Sequence, residues 1–366
     1  MTTLDPSVGG VAAAGNWAGV LAFLKKQRWW AGRIAVLPVH IAVFALVVFF
    51  LVRAIPGDPV LSVTGGQITP AIYARVKQAL GLNGSIFQQL STYFSALAHF
   101  RLGNSMISGR SVTSELSTRL PATLELALMS LLAVTVTSLV GAYLAVMYPG
   151  KLYARIIRAY ARTAGAVPEF VVGIALIFIF YAELHWAPAP LGRIDPSLSQ
   201  PSSITGFPFV DAVLHGDAPV AFSMIKHLVL PVTVEVIAQS AVMLKLLISG
   251  LEEAIDAPPT RFRIASGASR PVVVLSLYRR ALPATVTMLG TLFGYLLGGA
   301  VILENLFGFT GMGQYMVDAV NSKDLVVMQA FLLTVAVISL TVFLLVDLVN
   351  MLLDPRRKPG VNVEGS

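Results

Sequence analysis

Cysteine is absent from this chain of 366 residues. That excludes a disulfide framework, thiolate metal sites and a cysteine nucleophile. Charge is almost as scarce, at 12% of residues, about half of what an average soluble domain carries. The five histidines are widely scattered, so no zinc or copper site is expected. No G-x4-G-K-[ST] run occurs, so the chain cannot cradle the phosphates of ATP by itself. Its basic residues are dispersed over separate segments and form no single stripe, which argues against nucleic acid as a partner.

What is abundant is apolar side chain: 56% of residues, with a mean hydropathy of +0.76. A membrane-crossing helix needs about 20 mostly apolar residues. Six stretches meet that need: Ile34–Val52, Ala122–Tyr148, Val167–Leu184, Leu228–Ser249, Leu282–Glu304 and Leu325–Leu353. The first follows Lys25, Lys26 and Arg28 but runs into Arg53-Ala54-Ile55-Pro56, not a small-residue cleavage site. It therefore reads as a retained span and not as a signal peptide. The net charge of +7 is distributed unevenly. Lys25, Lys26, Arg28 and Arg33 precede span one, and Lys151, Arg155, Arg158 and Arg162 follow span two. Arg261, Arg263, Arg270, Arg279 and Arg280 follow span four, and Arg356, Arg357 and Lys358 end the chain. The opposite short loops hold only Arg193, Lys226 and Lys323. Cytoplasmic loops collect Lys and Arg, so both termini are expected in the cytoplasm.

The chain divides accordingly. Residues 1–33 form a cytoplasmic N-terminal segment, disordered at first. Trp17–Arg33 reads either as an interfacial helix, with tryptophans at headgroup depth, or as a basic flank of span one. Residues 34–121 hold span one and a long extracytoplasmic segment with helix-compatible runs at Ala71–Leu80 and Ile86–Ala98, broken at Gly65-Gly66 and Gly81–Gly84. Residues 122–354 carry the other five spans, and 355–366 are a cytoplasmic tail. The Pro- and Ser-rich stretch 185–227 reads as loop. Internal repeats and filter motifs are not visible, which weighs against an ion-gradient-driven secondary transporter or a channel. A membrane assembly or sensor protein would leave the long basic loop Leu251–Ala281 unexplained.

Seven motifs occur in order. They are Arg53-Ala54-Ile55-Pro56-Gly57-Asp58-Pro59, Leu80-Gly81-Leu82-Asn83, Leu102-Gly103-Asn104-Ser105, Arg119-Leu120-Pro121-Ala122-Thr123-Leu124-Glu125-Leu126, Val167-Pro168-Glu169-Phe170, Glu304-Asn305-Leu306-Phe307 with Gly311-Met312-Gly313, and Asp354-Pro355-Arg356. As a set, over roughly residues 34–357, the chain resembles the permease subunits of dipeptide and oligopeptide ATP-binding-cassette importers, specifically the first of the two paired permeases. The resemblance implies an all-α membrane protein with the type I importer transmembrane domain, in the bacterial cytoplasmic membrane. It implies a transport subunit, not an enzyme. It also implies as partners a second homologous permease, two ATPase subunits that bind ATP and Mg2+, and an extracytoplasmic binding protein delivering peptide. Relatives of this architecture also carry nickel chelates or haem.

In that family the loop after span four holds the segment that docks into the ATPase, often written E-A-A-x3-G. The matching run here is Arg261-Phe262-Arg263-Ile264-Ala265-Ser266-Gly267, with Arg261, Arg263, Ala265 and Gly267 as the coupling candidates. Ile264 and Ser266 stand where basic residues are usual. Arg261 and Arg263 read equally well as partners for acids on the ATPase or as positive-inside charge against lipid headgroups.

Ionisable groups at bilayer depth are costly and are functional candidates by default. Glu235 and Gln239 share a helix face at i,i+4, and Glu169 follows Pro168 at the start of span three. These three are the candidates for the translocation path, with helix packing as the alternative for Glu235 and Gln239. Glu125 reads as a packing or capping residue, Lys245 as a snorkelling one, and His40 as a satisfied interior histidine. The charge asymmetry makes a direct prediction. A topology reporter fused after Arg162 or Arg270 should report cytoplasm, and one placed within Pro196–Gly216 the opposite side. A cytoplasmic signal from the latter overturns the orientation.

Overall fold

A lipid environment offers the backbone no hydrogen-bond partners, so a spanning apolar segment must satisfy its own N–H and C=O groups as helix or closed barrel. Runs of Leu, Val and Ala without strand-like alternation choose helix here. A computed structural model of the chain describes residues 28–64, 69–79, 82–163 and 167–353. The expectations for residues 1–16, for Trp17–Gln27, for the breaks at Gly65-Gly66 and Gly81, for Leu80-Gly81 and for the tail 355–366 lie outside the described residues.

Thirteen helices can be followed among the described residues. α1 (Arg28–Arg53) leads into three short helices, α2 (Pro59–Thr64), α3 (Pro70–Ala79) and α4 (Ile86–Ala98). Then come α5 (Val112–Met147), α6 (Leu152–Thr163), α7 (Glu169–Leu176), α8 (Pro208–Leu214), α9 (Ala218–Asp256) and α10 (Pro258–Ala265). α11 (Arg270–Leu306), α12 (Met312–Ser322) and α13 (Leu325–Leu353) complete the fold. Five of these, α1, α5, α9, α11 and α13, are long and apolar enough to cross a membrane.

The third expected span takes a different form. Eight α-helical residues of α7 continue as seven π-helical ones, Ile177–Glu183. Even at the α-helical rise this stretch covers about 22 Å, short of the ~30 Å hydrocarbon core. The wider i→i+5 turns shorten it further.

The long helices pack into one bundle. Near the α10 end, Val134 and Ala142 of α5, Met243 and Leu247 of α9, and Leu277 and Leu292 of α11 form one buried cluster. Against it lies α6, whose Tyr160 hydroxyl makes 2.7 Å hydrogen bonds with Ile237 O and Ser240 Oγ, while Leu152 and Ile156 face outward. At the opposite, loop-rich end, Val48 and Val52 of α1 meet Leu116, Met312 and Val327 in a second cluster. Arg33 of α1 pairs with Asp347 of α13. His40 departs from expectation: it is exposed, lining the groove between α1 and α13 instead of lying inside the bundle. Val36, one turn away, is exposed in the same groove, and Val47, two turns on, is exposed as well.

The segment after α1 folds back onto it. The Arg53 guanidinium sits 3.6 Å over the Phe49 ring and donates to Gln89 Oε1 at 3.1 and 3.2 Å. Tyr93 of α4 stacks on Phe49 with ring centroids 5.5 Å apart. Further on, Ser105 Oγ donates to Asp324 Oδ2 at 2.5 Å, tying the loop before α5 to the start of α13. Phe49 is fully buried and is the hinge-pin of this contact. Phe49→Ala should cost about 3–5 kcal/mol. In detergent-purified protein this should lower the thermal midpoint and open the α4 segment to protease, and an unchanged midpoint would refute the packing argument.

Candidate functional site

Two polar constellations interrupt the apolar bundle, and a third lies exposed outside it. The first lies at the loop-rich end and brings two sequence motifs into one structure. Thr123 of α5 and Glu304 of α11 together satisfy the free N–H groups that open α12. Thr123 Oγ1 donates to Glu304 Oε1 (2.5 Å) and accepts from Met312 N (2.9 Å), while Glu304 Oε2 accepts from Gly313 N (2.7 Å) and Gln314 N (3.2 Å). A helix start presents unpaired donors and a partial positive charge, and a carboxylate answers both. The approach is so close that a Cβ at Gly311 would lie 2.0 Å from Glu304 Oε1, and one at Gly313 would lie 2.4 Å from Val301 Cα. Hence the Gly-Met-Gly sequence.

Beside it, Arg193 reaches in from the loop after α7. It donates to Glu125 Oε1 (3.1 Å) and to Ala122 O (2.6 Å), and its guanidinium lies 4.7 Å from the Phe309 ring centre. Burial pulls Arg193 below its ordinary pKa, and Glu125 and Glu304 act in the opposite direction. The other Glu125 oxygen accepts from Phe209 N at 2.8 Å, fixing the start of α8. Glu125 is therefore a pairing and capping residue. The same loop is braced by Asp211, which accepts from Thr205 Oγ1 (2.6 Å), Thr205 N (2.7 Å) and Gly206 N (3.1 Å). The Thr205 hydroxyl and then the backbone donors hold its carboxyl below the usual range.

The second constellation is a meeting of carboxylates inside the bundle. Glu235 on α9 is 2% exposed, and Glu169 at the start of α7 is half-buried. Both crowd the same point on α11: a Cβ on Gly299 would lie 2.7 and 2.8 Å from the two Glu169 oxygens and 3.0 Å from Glu235 Oε1. Gln239, one turn on from Glu235, lies alongside. Glu169 Oε1 and Glu235 Oε2 are buried without a hydrogen-bond donor. Two of the residues singled out from sequence thus stand together, joined by a position that was not singled out. The available signal was Gly298-Gly299, a glycine pair in the middle of an apolar span.

The third is α10. Thr260 is fully buried at its base, while Arg261 to Gly267 are all exposed, Phe262 by 73%. Arg261 meets Asp256 at 3.3 Å, a surface pair worth about 0–1 kcal/mol. Pro258-Pro259 opens the helix, where missing N–H groups cost nothing. Its end is a Schellman turn, with Ala268 N donating to Arg263 O and Gly267 N to Ile264 O, both at 3.1 Å. Gly267 has φ +74°, and a Cβ there would meet nothing within 4 Å. The glycine is needed for the backbone angle, not for room within this chain. Arg263 and Ala265 lie on the exposed helix and point no polar group into the bundle.

Comparison with known proteins places this arrangement. Residues 111–359 match the model of the binding-protein-dependent transport system inner membrane component family, and residues 26–127 match that of its N-terminal part. The chain belongs to that family. It is similar to a probable D,D-dipeptide transport system permease of Escherichia coli K12, with 32% identity over 90% of this chain and 96% of the relative. A di/tripeptide transport system permease of Pseudomonas aeruginosa is 32% identical over 85% and 93% of the respective chains. The dipeptide transport system permease of Escherichia coli K12 is 31% identical over 88% and 95%. A multi-pass inner-membrane component of a binding-protein-dependent transport system is the identity that the fold and the family share.

The capping network predicts a graded response. Glu304→Gln keeps one acceptor but loses the charge, for about 1.5–3 kcal/mol. Gly313→Ala forces the α11 backbone aside, for about 1–3 kcal/mol. Both should lower the thermal midpoint of the purified protein, and wild-type melting of Gly313→Ala would disprove the close approach.

Proposed function

We propose that this chain is one of two paired permeases of an ATP-driven importer, forming half of the path for di- or oligopeptides handed over by an extracytoplasmic binding protein. The peptide cargo is supported by the relatives, which are named for dipeptide, di/tripeptide and D,D-dipeptide transport. In this reading Val167–Leu184 is the sixth crossing, completed by the flanking backbone and covered by its neighbours, and both termini are cytoplasmic, as the Lys and Arg distribution requires. The second permease packs against the open face of α11. There Tyr295, Gly298 and Ile302 are exposed at helical spacing, and Gly294 and Gly298 have nothing above them. Small residues four apart let a partner helix approach closely.

The observation that carries the reading is α10: a short, exposed helix, pinned by Thr260 at one end and released by Gly267 at the other, between two helices long enough to span the membrane. This chain performs no chemistry. ATP and Mg2+ are bound by two ATPase subunits, and the coupling surface that meets them comprises Arg261, Phe262, Arg263, Ala265 and the turn at Gly267. Arg261 and Arg263 pair with acids there, and Phe262 fills an apolar recess.

The test measures uptake and ATPase co-purification together. Gly267→Trp places bulk on the exposed turn and strains a left-handed residue by about 1–2 kcal/mol, and Arg263→Glu reverses a charge. Both should abolish uptake while the purified permease stays folded, Arg263→Glu melting as the wild type and Gly267→Trp a few degrees lower, since both positions are exposed. Wild-type transport by Gly267→Trp refutes the coupling role of α10.

A further inference from the structure

The Glu169–Glu235 pair has no evident structural purpose. Among the described residues neither carboxylate takes part in an ion pair, and each keeps a buried oxygen with no donor. An unsatisfied buried acceptor is destabilising, more so when charged. The carboxylates that stabilise this fold, Glu125 and Glu304, are supplied with donors on both oxygens. The contrast is informative: the same chain supplies donors to both oxygens of two buried acids, but leaves one buried oxygen on each of the other two without a donor, even with Gln239 bonded to Glu235.

We propose that Glu169 and Glu235, drawn together at Gly299, form a station for the ammonium group of a peptide in transit. This rests on the reading of the chain as a peptide permease and adds to it the chemistry that the path recognises. A primary ammonium brings three donors and one positive charge, which suits two acceptor-only groups, and the Gln239 side chain supplies a further carbonyl acceptor. Among the described residues no third acidic or imidazole side chain joins the pair to make a metal-binding group. The station is also reachable. Glu169 is only half-buried whereas Glu235 is 2% exposed, so an ammonium reaching the pair meets Glu169 first and Glu235 behind it. A side chain at Gly299 would occupy the place where it binds.

The experiment uses the complete importer in proteoliposomes, with permeases, ATPase subunits and binding protein. Uptake of dialanine is compared with that of N-isobutyryl-alanine, in which a methyl group takes the place of the ammonium, at binding-protein concentrations giving equal loading. Glu169→Gln, Glu235→Gln and the double variant keep the side-chain volume, and Glu235→Asp restores the charge. The double variant is expected to slow dialanine about ten-fold or more, the size of a lost charge-assisted contact. The analogue should be carried as by the wild type, stimulation of ATP hydrolysis should persist, and Glu235→Asp should recover part of the rate. Equal slowing of both ligands would assign the pair to a proton or to helix packing and overturn the proposal. Unchanged dialanine uptake, or loss of the ATPase subunits from both single Gln variants, would do the same. If the wild-type complex carries no peptide at all, it is the peptide-permease reading that fails.

Discussion

Glu304 is fully buried, and the organisation of the loop-rich end follows from how its charge is met. It lies at the end of α11 and serves as the cap of α12, with Thr123 of α5 completing the arrangement. Two segments far apart in sequence, α5 and the α11–α12 turn, must be in register for these bonds to form. Arg193 then extends the network to Glu125 and the start of α8. An acid placed so deep is tolerable only while its donors are present. The network is therefore a condition on the fold as well as a contribution to it.

The same principle separates two kinds of buried acid. Glu125 and Glu304 belong to the scaffold, because backbone N–H groups and a guanidinium surround them. Glu169 and Glu235 each keep one buried oxygen that no donor reaches. Burial alone would have grouped Glu235 with Glu125 and Glu304, and only the inventory of donors distinguishes it. The distinction also explains two patterns of glycine. Gly311 and Gly313 are small so that Glu304 can reach a backbone, whereas Gly299 is small so that two carboxylates can share a space.

Much of this was legible in the sequence. Five long apolar runs became five long helices, since their length and composition leave the backbone no alternative in lipid. The position of α10 and its exit at Gly267 were readable from Pro258-Pro259 and a glycine in a basic loop. Val167–Leu184 was apolar enough to be taken for an ordinary span, but hydropathy does not encode the change to π-helical turns. His40 was misjudged because a polar residue in an apolar helix suggests an interior, while the exposed side of α1 depends on which helices pack beside it. The meeting of Glu169 with Glu235 was hidden for a similar reason. Periodicity gives the face of one helix, whereas this contact is set by the packing of three, at a residue with no side chain to advertise it.

α11 is continuous from Arg270 to Leu306, about 55 Å at the α-helical rise. It begins three residues after the exposed turn at Gly267, passes the carboxylate pair at Gly299, and ends at the cap of α12. A rod of that length converts a small tilt at its base into a larger sideways stroke at its tip, with Pro283 as the only interior break in its hydrogen bonding. Gly299 lies near the α12 end of this rod and not near its base. A tilt of α11 about its base would therefore change the spacing of the two carboxylates more than it would shift the residues beside Gly267.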